Sequence, residues 1–240
     1  MILVLFLLSI LTFFLSYVSP SDPIEQMSSG NGAIMDEEAK DALREKFGLK
    51  GSFGERYINW LKRALHGDLG NSIRYNEPVW NEMKPRMVKT TYLAVTAFLM
   101  MLCIAVPLGI VSALYEKKWL DYVIRFLSFV GAAFPGFWLG MLLLYWLGYK
   151  FKVISILSTG RAEDVILPAL TLAFPLACRY IRIIRTQILE ELGQEYVMAE
   201  RCRGVSWVRI LLCHVMPNAF LTLVTALGMS FGNLFGGTAV

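Results

Sequence analysis

The chain has 240 residues, of which 56% are hydrophobic and only 18% charged, with mean hydropathy +0.52. A soluble domain of this length carries about 45–50% apolar and about 25% charged residues, so the composition is that of a lipid-solvated protein. The net charge of +4 is too modest to call for a nucleic-acid partner, and its local asymmetry is assigned to membrane topology instead. The four cysteines (Cys103, Cys178, Cys202, Cys213) form no CxxC pair, and none lies in the polar stretch Ser19–Lys89. A disulfide-stapled outer domain and a cysteine metal cluster are both disfavoured; the thiols read as isolated side chains among apolar neighbours.

The first element, "MILVLFLLSILTFFLSYV", is about the length needed to cross a bilayer, roughly 20 residues. It lacks the basic flank and small-residue cleavage site of a signal peptide, so it is expected to be an uncleaved span over 1–18. From Ser19 to Lys89 the composition changes to 11 Lys/Arg and 11 Asp/Glu with Pro, Gly and Asn. That is too polar for lipid and too long for a tight turn. Within it, "MDEEAKDALREKFGL" reads as an amphipathic helix with Met35, Ala39, Ala42, Leu43 and Phe47 near helical spacing and Gly48 as its cap. "ERYINWLKRAL" reads as a second short helix, with Tyr57, Trp60, Leu61 and Leu65 on one side. The region 19–89 is expected to be a small ordered excursion on the membrane surface.

Thr90–Leu114 is a charge-free apolar run containing Pro107, the second span, and its proline is expected to be a packing kink. After the polar link "YEKKWLD", Tyr122–Tyr149 makes the third. Small residues Gly131, Ala132, Ala133 and Gly136 surround Pro135 there and allow close helix approach; Phe134, Phe137 and Trp138 suit either a pathway or lipid. The fourth span is Val165–Ile184. Its second half carries Arg179, Arg182 and Arg185 along one side, expected to snorkel to phosphates at a membrane edge. The fifth is 217–240. The segment Arg179–Pro217 holds six arginines and the Lys117–Lys118 link two lysines, against three basic residues in Lys150–Asp164. Positive-inside counting therefore puts 186–216, the Lys117 link and the N-terminus in the cytoplasm, and 19–89 outside. Ending in "LFGGTAV" with no polar flank, the chain is expected to continue into at least one more span.

The stretch "EYVMAERCRGVSWVRILLCHVMPNA", Glu195–Ala219, interrupts this pattern. Residues Thr186–Arg203 favour helix, and Gly204 suits a left-handed stop. Ser206 is placed to cap a second helix, Trp207–Met216, by accepting from its first free amides. Pro217 then opens the fifth span. Two readings fit the periodicity: an amphipathic linker lying on headgroups, or a stiff handle gripped from outside the bilayer.

Gly204 stands five residues after Ala199 and thirteen before Pro217. This resembles the loop E-A-A-x-x-x-G-x9-I-x-L-P of permease subunits of binding-protein-dependent ABC importers. The departures, Met198, Ala199 and Glu200 for E-A-A and His214 and Met216 for Ile and Leu, are similar to the dipeptide, oligopeptide and nickel branch. That branch's version is matched by Tyr196, Val197, Arg201, Gly204, His214, Asn218 and Ala219. Asp22–Pro23, "FGL", "GDLGNS", "PLGIVSAL", "FPGFWL", "ILPALTL" and Gly236–Gly237 agree with it in order along nearly the whole chain.

The resemblance implies an all-α polytopic membrane protein with a type I importer permease fold. Five of six spans are visible, with a large extracytoplasmic loop after span 1. It implies a plasma- or inner-membrane location and four kinds of partner: a second homologous permease, two ATP-binding subunits, an extracytoplasmic solute-binding protein and membrane lipid. No cofactor belongs to this chain; ATP and Mg are held by the partner subunits. The loop would dock on an ATPase through Tyr196, Val197, Ala199, Arg201, Arg203, Gly204, Val205, Val208, His214 and Pro217. Val197, Val205, Val208 and Leu211 are offered for apolar contact, and Tyr196, Arg201 and Arg203 for polar contact. His214 is either a proton switch or a polar residue of this face. Glu190, Glu191 and Glu195 either pair with arginines or form a solvated face. The cargo implied is short peptides or nickel and other metal chelates, and "GMSFGNLFGGTAV" is slightly closer to nickel permeases.

The sequence has no phosphate-cradling G-x-x-x-x-G-K-[ST], no H-E-x-x-H and no G-x-S-x-G. Thr90–Leu114 and Phe126–Tyr149 hold no acid, and His66 has no companion ligands. Catalytic and metal sites are therefore not expected. The alternatives are a secondary transporter or channel, which calls for polar ion sites at mid-depth where these spans offer only scattered Thr, Ser and Asn, and a membrane-anchored assembly protein, which has no need of the Gly204–Pro217 element.

Overall fold

The computed structural model describes residues 2–19, 23–25, 36–153 and 162–237. Expectations for Asp22, Met35, most of the Lys150–Asp164 link and 238–240 fall outside these residues. Among the described residues the protein is helical, apart from one isolated bridge between Asn71 and Pro78. It divides into two compact units, Met1–Met87 and Val88–Val240.

The first unit joins α1 (Ile2–Val18), α2 (Glu37–Lys46) and α3 (Phe53–Leu65). α1 is apolar all round. At 17 residues it falls short of the roughly 20 that span a hydrocarbon core. α3 begins with a capping box, in which Ser52 accepts from the Glu55 amide while the Glu55 carboxylate accepts from the Ser52 amide. The α3 helix packs directly against α1. The Phe13 ring sits 5.8, 5.4 and 5.7 Å from the rings of Phe53, Tyr57 and Trp60, and the Tyr57 hydroxyl meets Ser9 Oγ at 2.9 Å. α3 covers one side of α1 with aromatic pairs, each contributing about 0.5–1.5 kcal/mol beyond burial. Leu65, expected on that side, is exposed.

The second unit is organised on α7 (Ile166–Leu192), with α4 (Val79–Leu114), α5 (Trp119–Ala133), α6 (Gly136–Leu143) and α10 (Met216–Gly237). The division between units falls inside α4. In lipid, apolar side chains gain little by leaving lipid for one another, so close backbone approach and internal hydrogen bonds hold helices together. Small residues supply the approach. Ala94, Ala97, Ala105 and Gly109 of α4 are buried, as are Ala169, Ala173 and Ala177 of α7. A Cβ on Gly109 would lie 2.7 Å from Ile184, and one on Gly131 would lie 2.5 Å from Cys178 Sγ, so both positions exclude any side chain. Between α7 and α10, the buried Tyr180 hydroxyl donates to the Ala226 carbonyl (2.6 Å) and bonds Ser230 Oγ (2.7 Å).

Among the described residues three helices are long and apolar enough to cross a membrane, or four if one bent pair is counted as a single span. That pair covers the expected third span, Tyr122–Tyr149, and is bent at its proline. α5 stops at Ala133 and α6 starts at Gly136, bent by 100°. Phe134 and Pro135 are extended (ψ 129° and 135°), because Pro135 pushes its predecessor out of the helical region and cannot donate an amide. α6 ends in a π-helical turn, Leu144–Lys150. α4 runs unbroken through Pro107 and α7 through Pro175, so proline alone does not decide where a helix stops.

Charge settles one further junction. Asp121, in the first turn of α5, is fully buried. It pairs bidentately with Arg185 of α7, Oδ1 to Nε at 2.7 Å and Oδ2 to Nη2 at 2.8 Å. Arg185 thus departs from the expected snorkelling trio, while Arg179 and Arg182 remain exposed along a shallow groove of about 360 Å³ with Thr186. Breaking a buried pair from one side is more costly than removing it altogether. Arg185→Met is expected to lower stability by about 3–5 kcal/mol in denaturant titrations in mixed micelles, and Asp121→Asn/Arg185→Met to recover most of that. A double variant no more stable than the single would contradict this assignment.

Candidate functional site

The segment following α7 is built differently from the expected 186–203 helix. α7 has no stop signal near Thr186 and continues to Leu192; the Gly193 amide closes it onto the carbonyls of Leu189 and Glu190, and the Gln194 amide onto that of Glu191. Gln194 is extended and starts α8 (Glu195–Cys202). α8 ends in a Schellman arrangement: the Gly204 amide donates to Arg201 O (3.0 Å) and the Val205 amide to Glu200 O (3.2 Å). Gly204 has φ +77°, the left-handed conformation expected from the sequence. No neighbour lies within 4 Å of a Cβ built there, so the requirement is conformational and not steric.

Ser206 takes the extended N-cap conformation of α9 (Trp207–Ile210), but its hydroxyl makes no capping bond, which corrects that expectation. Nor does Pro217 begin a separate helix. α9 widens into a π-helical turn, Leu211–Val215, and passes directly into α10, giving a continuous apolar helix over Trp207–Gly236. Proline clashes with the carbonyl four residues back and removes an amide. With Met216 N–H bonded to Leu211 O, five residues back, the backbone takes the longer-spaced pairing that relieves this conflict.

Side chains tie the hairpin together. The Arg201 guanidinium lies 4.3 Å from the centroid of the Trp207 ring across the turn, and the two line a shallow groove of about 370 Å³ with Val205. His214 Nδ1 is 3.4 Å from Glu200 Oε1, while Glu200 Oε2 is buried with no hydrogen-bond partner. The Tyr196 hydroxyl donates to Glu191 Oε2 (2.9 Å) and accepts from Asn218 Nδ2 (3.4 Å), joining the end of α7 to the start of α10. Burial pushes the Tyr196 phenol above its ordinary range, and Glu191 beside it acts in the same direction, so the hydroxyl keeps its proton.

The structure sorts the sequence candidates into two faces. Val197 (1% exposed) and Leu211 (8%) turn inward beside Ile210 and Val215, so they anchor the loop and are not available for outward apolar contact. Val205 is half-buried; Ala199, Arg201, Arg203, Gly204 and Pro217 are exposed, and Val208 is 63% exposed. Met198 (72%), Trp207 and Leu212 complete the outward apolar face, and sequence reasoning missed them. Trp207, an indole directly after the N-cap, was the available signal. Asp121 was missed too; it is the one acid near the membrane end of its helix.

The helices and this suspended hairpin define a class: a multi-pass membrane component with a structured loop between two long helices. The chain belongs to the family of binding-protein-dependent transport system inner membrane components, whose model matches residues 105–240, and the N-terminal model for membrane components of such systems matches residues 1–94. It is 31% identical to the probable D,D-dipeptide transport system permease protein DdpB of Escherichia coli K12, covering 96% of this chain and 76% of that protein. It is 32% identical to the nickel import system permease protein NikB of Staphylococcus aureus USA300, covering all of this chain and 72% of that protein. It is accordingly an ABC importer permease, a transport component and not a catalytic one.

Because the Ser206 hydroxyl caps nothing, Ser206→Ala is expected to leave the melting temperature of the purified protein unchanged. A loss matching the ~1 kcal/mol of a true N-cap would show that the bond forms after all.

Proposed function

We propose that this chain forms half of the translocation pathway of an ATP-driven importer and that the α8–α9 hairpin is its coupling handle. A second homologous permease completes the pathway, two ATP-binding subunits hold ATP and Mg, and an extracytoplasmic solute-binding protein delivers the cargo. The observation that carries this reading is an exposed face of Met198, Trp207, Val208 and Leu212, with Arg201 stacked on the indole, on a hairpin rooted in long helices at both ends. Surface apolar groups gathered on a rigid element are the pattern of a protein contact. Tyr196, Ala199, Arg203 and His214 flank that face, while Val197 and Leu211 hold it in place from within.

Closure of an ATPase dimer on ATP would carry the hairpin, and the helices would follow between outward- and inward-open packings as rigid bodies. The six arginines of Arg179–Pro217 support a cytoplasmic hairpin and a cytoplasmic N-terminus. The relatives' names support short peptides or nickel chelates as cargo. In such systems the binding protein selects the solute, so calorimetric titration of that partner with D-alanyl-D-alanine and with nickel–histidine separates the two classes.

Gly204→Val places a β-branched residue in the left-handed region at about 1–2 kcal/mol. It is expected to abolish binding-protein-stimulated ATP hydrolysis while membrane insertion is unchanged, and Gly204→Asn is expected to retain most of it. Wild-type stimulation in Gly204→Val would refute the handle. Val208→Asp is expected to cut co-purification of the ATP-binding subunits by at least about tenfold, as for a charge placed in the centre of an apolar contact; undiminished recovery would remove this face from the interface.

A further inference from the structure

We propose that Asp121 and Arg185 are positioning residues that bind the root of the hairpin to the α4–α5 corner, so that hairpin, α7 and α5 travel as one body and the Phe134–Pro135 break absorbs the motion. This rests on the reading of the hairpin as the coupling handle.

One carboxylate joins three helices and their turn. Oδ1 of Asp121 accepts from Arg185 Nε (2.7 Å) and from Ser112 Oγ at the end of α4 (2.6 Å). Oδ2 accepts from Arg185 Nη2 (2.8 Å) and from the Lys117 amide (3.1 Å). An ionised carboxylate offers about four acceptor sites, and here four donors occupy them. Lys117 has φ +60°, a left-handed conformation uncommon for a residue other than glycine, and the carboxylate holds that turn. The guanidinium fork fixes orientation as well as distance, because its two parallel bonds fit only one mutual placement of α5 and α7.

The place of the clasp matters. Arg185 lies seven residues before Leu192, about 10 Å from the hairpin along an unbroken helix. On the same α5–α7 contact, Gly131 packs so closely on Cys178 that a Cβ there would lie 2.5 Å from its Sγ. At the far end of α5 the chain is extended at Phe134 and Pro135 and turns by 100° into α6. Displacement entering at Gly204 passes the extended Gln194 into α7, crosses the clasp to α5, and meets a non-helical joint beyond it. Hinges are element-terminal residues of this kind.

The test uses the complete transporter in lipid nanodiscs, with native cysteines replaced and spin labels introduced in pairs. One pair is Arg209→Cys with Phe126→Cys, hairpin to α5; the other is Arg209→Cys with Met141→Cys, hairpin to α6. All three sites are exposed, and Arg209 is not among the residues of the proposed docking face. Distances are measured without nucleotide and after trapping with ATP and orthovanadate. The expected result is a hairpin–α5 distance constant to within about 1–2 Å, the scale of small helix shifts, while the hairpin–α6 distance changes by more. In Arg185→Met and in Asp121→Asn the hairpin–α5 distance should begin to change with nucleotide, with Arg185→Lys intermediate. If either single variant fails to insert, Asp121→Asn/Arg185→Met, which leaves no buried charge, is read by the same criterion. A merely structural pair would lower yield and leave the hairpin–α5 distance constant in every variant, and that overturns the proposal. A wild-type hairpin–α5 distance that moves as far as hairpin–α6 overturns it as well, with the handle intact. No nucleotide-dependent change for either pair, together with loss of the ATP-binding subunits on purification, overturns the handle reading and this one with it.

Discussion

A charge buried where helices meet must be answered by the protein, because water no longer solvates it. The Asp121 carboxylate is where this constraint acts most strongly here. Everything that meets it is thereby fixed: the end of α4 through Ser112, the left-handed turn through the Lys117 amide, and α7 through the Arg185 fork. The alanine and glycine contacts between α4, α5 and α7 are non-directional and would tolerate small rotations. The carboxylate removes that freedom, and the placement of the hairpin beyond Leu192 inherits the result.

The two roots of the hairpin are fastened by different means. On the α7 side the helix ends at Leu192 and the chain turns through Gly193 and the extended Gln194 into α8; polar closure comes two turns before Leu192, at Arg185. On the α10 side the backbone never leaves helical geometry, because the π-helical turn at Leu211–Val215 carries the chain past Pro217. Tyr196 then bridges the two sides through Glu191 and Asn218. Consequently the only left-handed residue between Gln194 and Gly237 is Gly204, the tip itself. A lever with its one left-handed position at the tip, helix at the α10 root and a side-chain bridge across to the α7 root passes displacement on to the spans.

How much of this was legible in the sequence depends on which physical signal was local. The apolar runs and the left-handed stop at Gly204 are local properties and were readable; so was the existence of a helical hairpin there. The extent of its first helix was not, because Thr186–Leu192 favours helix equally well as the tail of a span or the start of a loop. Valines gave the clearest ambiguity. The burial of Val197 and exposure of Val208 would show as amphipathic periodicity in long helices, but α8 and α9 are eight and four residues long, too short for a period to establish itself. Partnerships across distance were illegible for another reason. Arg179, Arg182 and Arg185 share one helical side, and only an acid 64 residues away in sequence distinguishes the third.

The prolines carry the same lesson one step further, toward mechanism. Pro107 and Pro175 sit in helices that continue, Pro217 follows a widened turn, and Pro135 alone ends a helix outright. Each costs an amide bond, so what differs is the recovery available nearby. α4 and α7 survive theirs, although small residues line all of these sites. At Pro135 the chain instead turns through 100°, and its flanking rings, Phe134 and Trp138, stack on each other at 4.8 Å across the break. α6 also turns back onto α7, where a Cβ on Gly140 would meet Thr171 at 3.3 Å. The break is therefore fastened by ring stacking and close packing alone, while α5 and α7 are fastened by a charged clasp, and of the two junctions it is the one with no directional bond to fix its angle.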